Sequence, residues 1–288
     1  MNEKDWQILK TIDEEKNITR SAERLYISQP ALTYRINQIE NELNIKIFSR
    51  SNKGIFITEE GIHVVKYAEK MLLHFQKLKD NLMNLKDMTS GELRIGVSSN
   101  FAQYELPNIL KNFLTDFPNV QVKLMTDWSN KIMNLFLNEE IHVAIVRGEC
   151  TWKGPKIFIN QDPISLISKQ QIPIDSLPNH PMISYKTEPA LKNIIDTWWR
   201  EHFQTPPLIS MEVDKLETCK EMVLKGLGFG VVPNYVVKHH KNNLSIQPLT
   251  SIKNKPIVRD LWLYYRKESL ELSTVKAFID FMEEAKLK

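Results

Sequence analysis

Arg20-Ser-Ala-Glu-Arg-Leu-Tyr-Ile-Ser-Gln-Pro-Ala-Leu-Thr-Tyr-Arg-Ile-Asn-Gln-Ile-Glu40 reads as two short helices joined by a tight turn. Thr19 is the expected N-cap of the first, where the small Ala22 shares a face with Leu25 and lets a second helix approach closely. Tyr26 and Ile27 lead to Ser28, whose hydroxyl can cap the next helix, and Pro30 falls in that helix's first turn, where no intrahelical N–H is needed. Leu32, Ile36, Ile39 and Leu43 recur at intervals of four, three and four, so one apolar stripe faces inward and leaves Gln29, Thr33, Tyr34 and Arg35 outside. A helix-turn-helix of this kind lays its second helix in the DNA major groove. The outward side chains are of the types that read base edges or grip phosphates. An ordinary helical hairpin with a solvated polar face is the bland alternative.

The residues after Leu43 argue against that alternative. Residues 45–50 (Ile-Lys-Ile-Phe-Ser-Arg) and 53–58 (Lys-Gly-Ile-Phe-Ile-Thr) form two predicted strands around a Gly-containing turn, a wing that brings Arg50 and Lys53 near phosphates. Ser21-Ala22, Leu25, Ser28-Gln29-Pro30-Ala31-Leu32, Ile36, Ile39-Glu40, Leu43, Phe48, Arg50, Thr58 and Gly61 stand in one register without gaps. On these residues the segment 1–58 resembles the DNA-binding domain of the LysR-type transcriptional regulators. Tyr34-Arg35 departs from that family, which more often carries a smaller or shorter polar pair there. The expected DNA-binding set is Ser28, Gln29, Pro30, Thr33, Tyr34, Arg35, Arg50 and Lys53.

Composition is compatible with a soluble chain of two or three domains: 288 residues, 42% hydrophobic and 25% charged. The net charge is only +3, and residues 1–58 hold nine basic against eight acidic side chains, so bulk charge does not argue for nucleic acid. Between Arg20 and Lys53 the balance is six to three, a modest phosphate-facing surface. Glu3, Lys4 and Asp5 leave no room for an apolar leader, and no apolar run reaches the ~18 residues of a membrane span; a cytoplasmic location is expected. Cys150 and Cys219 are too few and too isolated for a disulfide framework or zinc site and are read as reduced thiols.

Val64, Ala68, Met71, Phe75, Leu78, Leu82 and Leu85 alternate steps of four and three, a coiled-coil seam, with no Gly or Pro from Ile62 to Met88. A linker and dimerisation helix is expected over 59–90. Two copies would hold a pair of reading helices about one DNA turn, roughly 34 Å, or a multiple apart and so read a two-fold site. The resemblance implies the same dimer and, often, a tetramer.

Thr89-Ser-Gly91 ends that helix, and Glu92-Leu-Arg-Ile-Gly-Val-Ser98 opens an α/β domain over 91–288. Strands are predicted at 92–98, 120–126, 143–147, 164–168, 181–185, 208–213, 230–233 and 257–265, alternating with amphipathic segments in a mostly parallel arrangement. The LysR resemblance continues through Gly91-Glu-Leu-Arg-Ile-Gly96, Leu106-Pro107, Phe117-Pro118 and Gly226-Leu-Gly-Phe-Gly-Val-Val-Pro233. It implies a two-lobed sensor like a periplasmic binding protein, with lobe I about 92–162 plus 267–288, lobe II about 163–266, and the effector between them.

In open α/β sheets ligands sit beyond the carboxyl ends of strands, near helix N-termini. Ser98, Ser99 and Asn100 follow the first strand, Asp127, Trp128 and Ser129 the second, and Arg147 ends the third. An arginine there favours a carboxylate or leaves a salt bridge as the alternative. Arg259, interrupting an apolar strand beside Asp260, is a second candidate, and Thr187, with Ser184, Tyr185 and Lys186, follows another strand. The expected effector set is Ser98, Ser99, Asn100, Ser129, Arg147, Thr187 and Arg259, for a small anion. The whole chain resembles the citrate-responsive catabolite-control branch of the family, which implies a di- or tricarboxylate such as citrate, a role in carbon metabolism, and RNA polymerase as partner of an activator.

Catalysis is not expected, nor a cofactor or metal. There is no P-loop, dinucleotide fingerprint or Gly-x-Ser-x-Gly, and Gly226-Leu-Gly-Phe-Gly230 ends a helix and enters a strand. His239-His240 lacks further ligands and reads as surface. The competing reading, a solute-binding module or enzyme with an unrelated helical appendage, gives no reason for the seam.

Overall fold

The structure, a computed structural model, describes residues 1–51, 54–83, 89–238, 240 and 242–286. The chain divides into two units, Met1–Met88 and Thr89–Lys288.

In the first unit, α1 (Glu3–Glu15) begins with a capping box in which Asn2 accepts the Asp5 N–H and Asp5 accepts the Asn2 N–H. The first helix of the turn motif, α2 (Ile18–Arg24), is capped by Asn17 and not by the expected Thr19; the Asn17 carboxamide takes the Arg20 N–H at 3.1 Å. Ser28 caps α3 (Gln29–Leu43) as expected, with Pro30 in its first turn. Leu32, Ile36 and Ile39 are buried, Leu32 and Ile36 against Ile8, Ile12 and Ala22 and Ile39 against Leu9. Leu43, at the end of the stripe, is 38% exposed. The wing is a short antiparallel pair, β1 (Phe48–Ser51) and β2 (Gly54–Ile57).

Two buried carboxylates fasten α3. Asp5 forks onto Arg35, Oδ1 to Nε at 2.6 Å and Oδ2 to Nη2 at 2.7 Å. Glu40, 4% exposed, accepts the Ile47 and Phe48 N–H groups at 2.9 and 3.2 Å and the Lys46 ammonium at 2.6 Å, which ties α3 to the wing. Burial works to raise the Glu40 pKa, but Lys46 and the two amides outweigh it and hold it below its ordinary value.

Thr58 accepts the Gly61 N–H at 2.9 Å in the first turn of α4 (Glu59–Met83). Gly61 is required there: a Cβ would lie 2.2 Å from the Ile47 carbonyl oxygen. The seam expectation needs correcting at its start. Ala68 is fully buried and Val64 partly buried in the unit's own core with Leu9, Ile39 and Ile47, because the first turns of α4 pack on α1. From Met71 and Phe75 onward the stripe emerges, and Leu78 and Leu82 are 51% and 56% exposed. Leu85 lies outside the described residues.

The second unit starts with β3 (Gly91–Ser98), parallel to β4 (Val120–Asp127) and β5 (Val143–Arg147). Between them run α5 (Ser99–Tyr104), α6 (Leu106–Asp116) and α7 (Ser129–Leu137). Next comes β6 (Lys156–Ser168), then β7 (Met182–Tyr185), α8 (Pro189–His202), β8 (Ile209–Val213), α9 (Leu216–Leu224), β9 (Gly230–Pro233), β10 (Ser245–Pro248), β11 (Val258–Tyr265) and α10 (Ser273–Lys286). The large sheet runs β10-β6-β11-β5-β3-β4, with β9 also on β6. The pairing is mixed, not mostly parallel: β6 and β11 join every partner antiparallel, while β7 and β8 pair parallel apart from the main sheet.

Two cores cover the faces of lobe I. Phe113 of α6 and Val275, Phe278 and Ile279 of α10 pack on Leu93, Ile95 and Val97; Ile132, Met133 and Phe136 of α7 pack on Ala144, Val146 and Tyr264. Gly96 lets Ile141 and α7 close down on β3, since a Cβ there would stand 2.2 Å from the Ile141 side chain and 3.0 Å from that of Ile132. Lobe II has its own core of Ile164, Leu166, Trp198, Trp199 and Phe229. The strand β6 serves both lobes, pairing with β11 up to Pro163 and with β9 and β10 beyond it. Leu261–Tyr265 of β11 pairs with β5, so the chain returns to lobe I near residue 260, earlier than the expected crossover at Arg266.

The Asp5–Arg35 pair is open to test. Arg35 lowers the Asp5 pKa, chiefly through their hydrogen bonds, so its stabilisation is present above the ordinary aspartate range and lost as pH falls through the lowered value. Asp5→Asn should cost about 2 kcal/mol at pH 7, read as lost hydrogen-exchange protection in α1 and α3, and the deficit should close in acid.

Candidate functional site

Two places gather candidate residues, one in each unit. At the start of α3, its cap Ser28 and then Gln29 and Pro30 are exposed, Thr33 is half-buried, and Tyr34 is 65% exposed. Gln38 donates to the Tyr34 hydroxyl at 2.9 Å and accepts from Arg35 Nη1 at 2.7 Å, which sets the phenol at the outer face. Arg35, expected as an outward reader, instead spends three of its donors on Asp5 and Gln38, so it works first as a clamp. Arg50 lies in β1 opposite Ile55, and Lys53 falls outside the described residues. Sequence reasoning passed over Tyr26, which stands 96% exposed in the turn before α3 with φ 56°. The available signal was an aromatic residue between two helices with no place in either apolar stripe.

In the second unit the carboxyl ends of β3, β4 and β5 converge on a cleft between the lobes of about 350 Å³. All seven expected effector residues line it: Ser98, Ser99, Asn100, Ser129, Arg147, Thr187 and Arg259. The geometry adds what the sequence could not, the partners of the arginines. Arg147, 5% exposed, reaches Glu105 at 3.1 Å and Asn160 at 3.3 Å and lies over the Tyr235 ring, 4.9 Å from its centroid. Arg259, 6% exposed, meets Glu188 at 2.5 Å and donates to the Arg147 carbonyl at 3.3 Å. Ser129 Oγ accepts the Arg147 N–H at 3.3 Å. Ser98 Oγ and Arg147 Nε are buried without a hydrogen-bond partner among the described residues.

Asp162 sits behind Arg147, where one oxygen accepts the Tyr235 N–H at 3.1 Å and the other has no partner among the described residues. Burial pushes its pKa up to about 6, against the opposing pull of Arg147. Tyr104 of α5 bonds Glu217 of α9, a further contact across the lobes. A separate hollow of about 530 Å³ beside β7 and α8 lies within lobe II and holds neither buried arginine. Among the described residues no group of His, Cys, Asp and Glu could hold a metal ion, and no helix is long and apolar enough to cross a membrane.

Comparison with known proteins bears on both units. Residues 4–62 match the family described as bacterial regulatory helix-turn-helix protein, lysR family, and residues 86–286 match the LysR substrate binding domain. The chain belongs to the LysR family of transcriptional regulators. A Bacillus subtilis (strain 168) HTH-type transcriptional regulator, YraN, is 45% identical over 98% of this chain and 98% of its own. A probable RuBisCO transcriptional regulator of Phaeodactylum tricornutum is 29% identical over 97% of this chain and 94% of its own. Full-length CbnR in complex with its target DNA shares the fold, with a TM-score of 0.71, 17% identity and coverage of 99% of this chain and 100% of that one. LysR regulators bind operators and small effectors and form oligomers, and they are not enzymes; the competing reading, a solute-binding module or enzyme with an unrelated helical appendage, is set aside.

In this LysR regulator the acid Asp162 gives a pH signature. Its folded pKa lies above the unfolded one, so its contribution is full below the ordinary aspartate value and is lost as pH rises through about 6. Asp162→Asn keeps an acceptor for the Tyr235 N–H. It should be more stable than wild type at pH 7.5 by roughly 2 kcal/mol, with a flatter stability profile from pH 4 to 7. A variant no more stable than wild type at pH 7.5 would contradict the assignment.

Proposed function

We propose that this regulator reads a two-fold operator through the N-terminal half of α3 and alters that binding when a small organic acid seats between the lobes of its second unit. The observation that carries the reading is one cleft holding two buried arginines and the N-terminal amide of α7, the donor chemistry that binds a carboxylate. Ser98, Ser99, Asn100, Ser129, Arg147, Thr187 and Arg259 are its binding set. The relatives give citrate no support, and the charge count favours a ligand with one carboxylate over a tricarboxylate. Arg147 and Arg259 each already face a glutamate, so added anionic charge would have to break those pairs.

On the DNA side, Ser28, Gln29, Pro30, Thr33 and Tyr34 form the reading face, with Arg50 and Lys53 of the wing for phosphates and Arg35 holding α3 in place. Half-buried Met71 and Phe75 with exposed Leu78 and Leu82 supply the accessible part of the pairing seam, which doubles the reading helix. RNA polymerase is the further partner at promoters the protein activates. An acid that binds one closure state of the lobes better than another shifts the arrangement of the paired reading domains by linkage.

Two experiments test this. In gel shifts on a selected operator, Thr33→Ala and Tyr34→Ala should each weaken binding about tenfold, consistent with ~1–3 kcal/mol per base contact, and leave effector binding intact; unchanged shifts remove them from the reading face. A thermal-shift screen of the full chain against organic acids should find a hit stabilised by ~2.7 kcal/mol at 100 times its dissociation constant. Failure of every mono-, di- and tricarboxylate to shift the melt rejects the organic-acid reading.

A further inference from the structure

Glu188 is the N-cap residue of α8, yet its carboxylate does not cap its own helix. It crosses the cleft. Oε2 accepts the backbone N–H of Ser129, the first residue of α7, at 3.2 Å, and Oε1 meets Arg259 Nη2 at 2.5 Å. The N-cap residue of α7 is Trp128, which makes no side-chain cap, so this helix of lobe I receives its capping anion from lobe II. One oxygen on a helix N-terminal amide and the other on a guanidinium is the coordination of a bound carboxylate. The Glu188 side chain is only 13% exposed. In the wall of the same cleft Ser98 Oγ, on a residue 6% exposed, has no hydrogen-bond partner among the described residues.

We propose that Glu188 is the resident occupant of the effector's carboxylate subsite. An incoming carboxylate takes the Ser129 N–H and Arg259, with Ser98 Oγ as a further donor, and displaces Glu188 to the solvent side of the cleft. This inference rests on the organic-acid reading above and deepens it by naming the subsite, its occupant and the ligand class. A carboxylate tethered this close competes as if present at high local concentration, so the threshold for response is set within the chain. The same exchange removes a contact that holds lobe II to lobe I, which makes binding and release of the lobes one event. The ligand class is a monocarboxylate with an uncharged remainder. One anion replaces one anion at Arg259, while Arg147 stays matched by Glu105.

The test uses the full chain, with acetate and benzoate as probes, titrated by calorimetry at fixed ionic strength. Glu188→Gln keeps a neutral acceptor for the Ser129 N–H, so α7 stays capped while the competing charge goes. It should bind benzoate about tenfold tighter than wild type, the size expected from losing one charge-assisted competitor. Glu188→Asp, too short to reach both partners, should also gain affinity and carries the test if the glutamine variant does not fold. Arg259→Gln should abolish binding in wild-type and Glu188→Gln backgrounds alike. Equal or weaker binding by both Glu188 variants overturns the proposal, and it does so in particular if Glu188 holds a ligand ammonium; continued loss in Arg259→Gln would then leave the organic-acid reading standing. Binding of neither probe by any variant overturns the proposal, while the organic-acid reading falls only if the thermal-shift screen finds no mono-, di- or tricarboxylate either.

Discussion

A guanidinium taken out of water must be met by an anion, and the cleft of the second unit is organised by that requirement. Arg147 and Arg259 are both nearly inaccessible, so the chain has to bring Glu105, Asn160 and Glu188 to them from three different elements. Glu105 joins α5 to α6, Asn160 lies on β6, and Glu188 stands between β7 and α8. Arg147 is neutralised within lobe I and Arg259 from Glu188 of lobe II, and it is the Glu188 carboxylate, shared between Arg259 and the Ser129 N–H, that couples the second pair to the contact between the lobes. A ligand entering such a site exchanges with an internal partner and does not simply add charge to it.

The N-terminal unit meets the same requirement on a smaller scale. Asp5 and Glu40 are buried carboxylates whose partners lie on other elements, and between them they fix α3 to α1 and to the wing. The outer face of α3 is thus oriented by groups buried behind it. Arg35 belongs with them more than with Tyr34 and Thr33, although all three follow one another in sequence.

Much of this was legible from local patterns. The Ser28 cap, Pro30 and the stripe from Leu32 to Ile39 predict α3 because helix capping and a 3.6-residue period act over a few residues. The carboxyl ends of β3 and β5 pointed to Ser98 and Arg147 for the same reason. Four things were not legible. Asn17 and Thr19 both cap well, and only the tertiary position of α2 chooses between them. An apolar stripe satisfies a neighbouring helix as well as a partner chain, so Val64 and Ala68 looked like seam while serving α1. The counterions of the arginines lie far away in the chain, 42 residues in the case of Glu105, and no spacing rule links them. The polar run Asn160-Gln-Asp162 likewise hid the continuity of β6, since it reads as a break in an apolar strand.

That continuity has a mechanical meaning. A single strand, β6, passes from the sheet of one lobe to the sheet of the other, with β11 beside it and Pro163 opposite Val258 at the changeover. Proline has no N–H to give to the ladder and fixes its own φ. The two lobes are thus joined through a pair of hydrogen-bonded neighbouring strands. A ligand that moves one lobe against the other therefore has to act on this shared pair of strands.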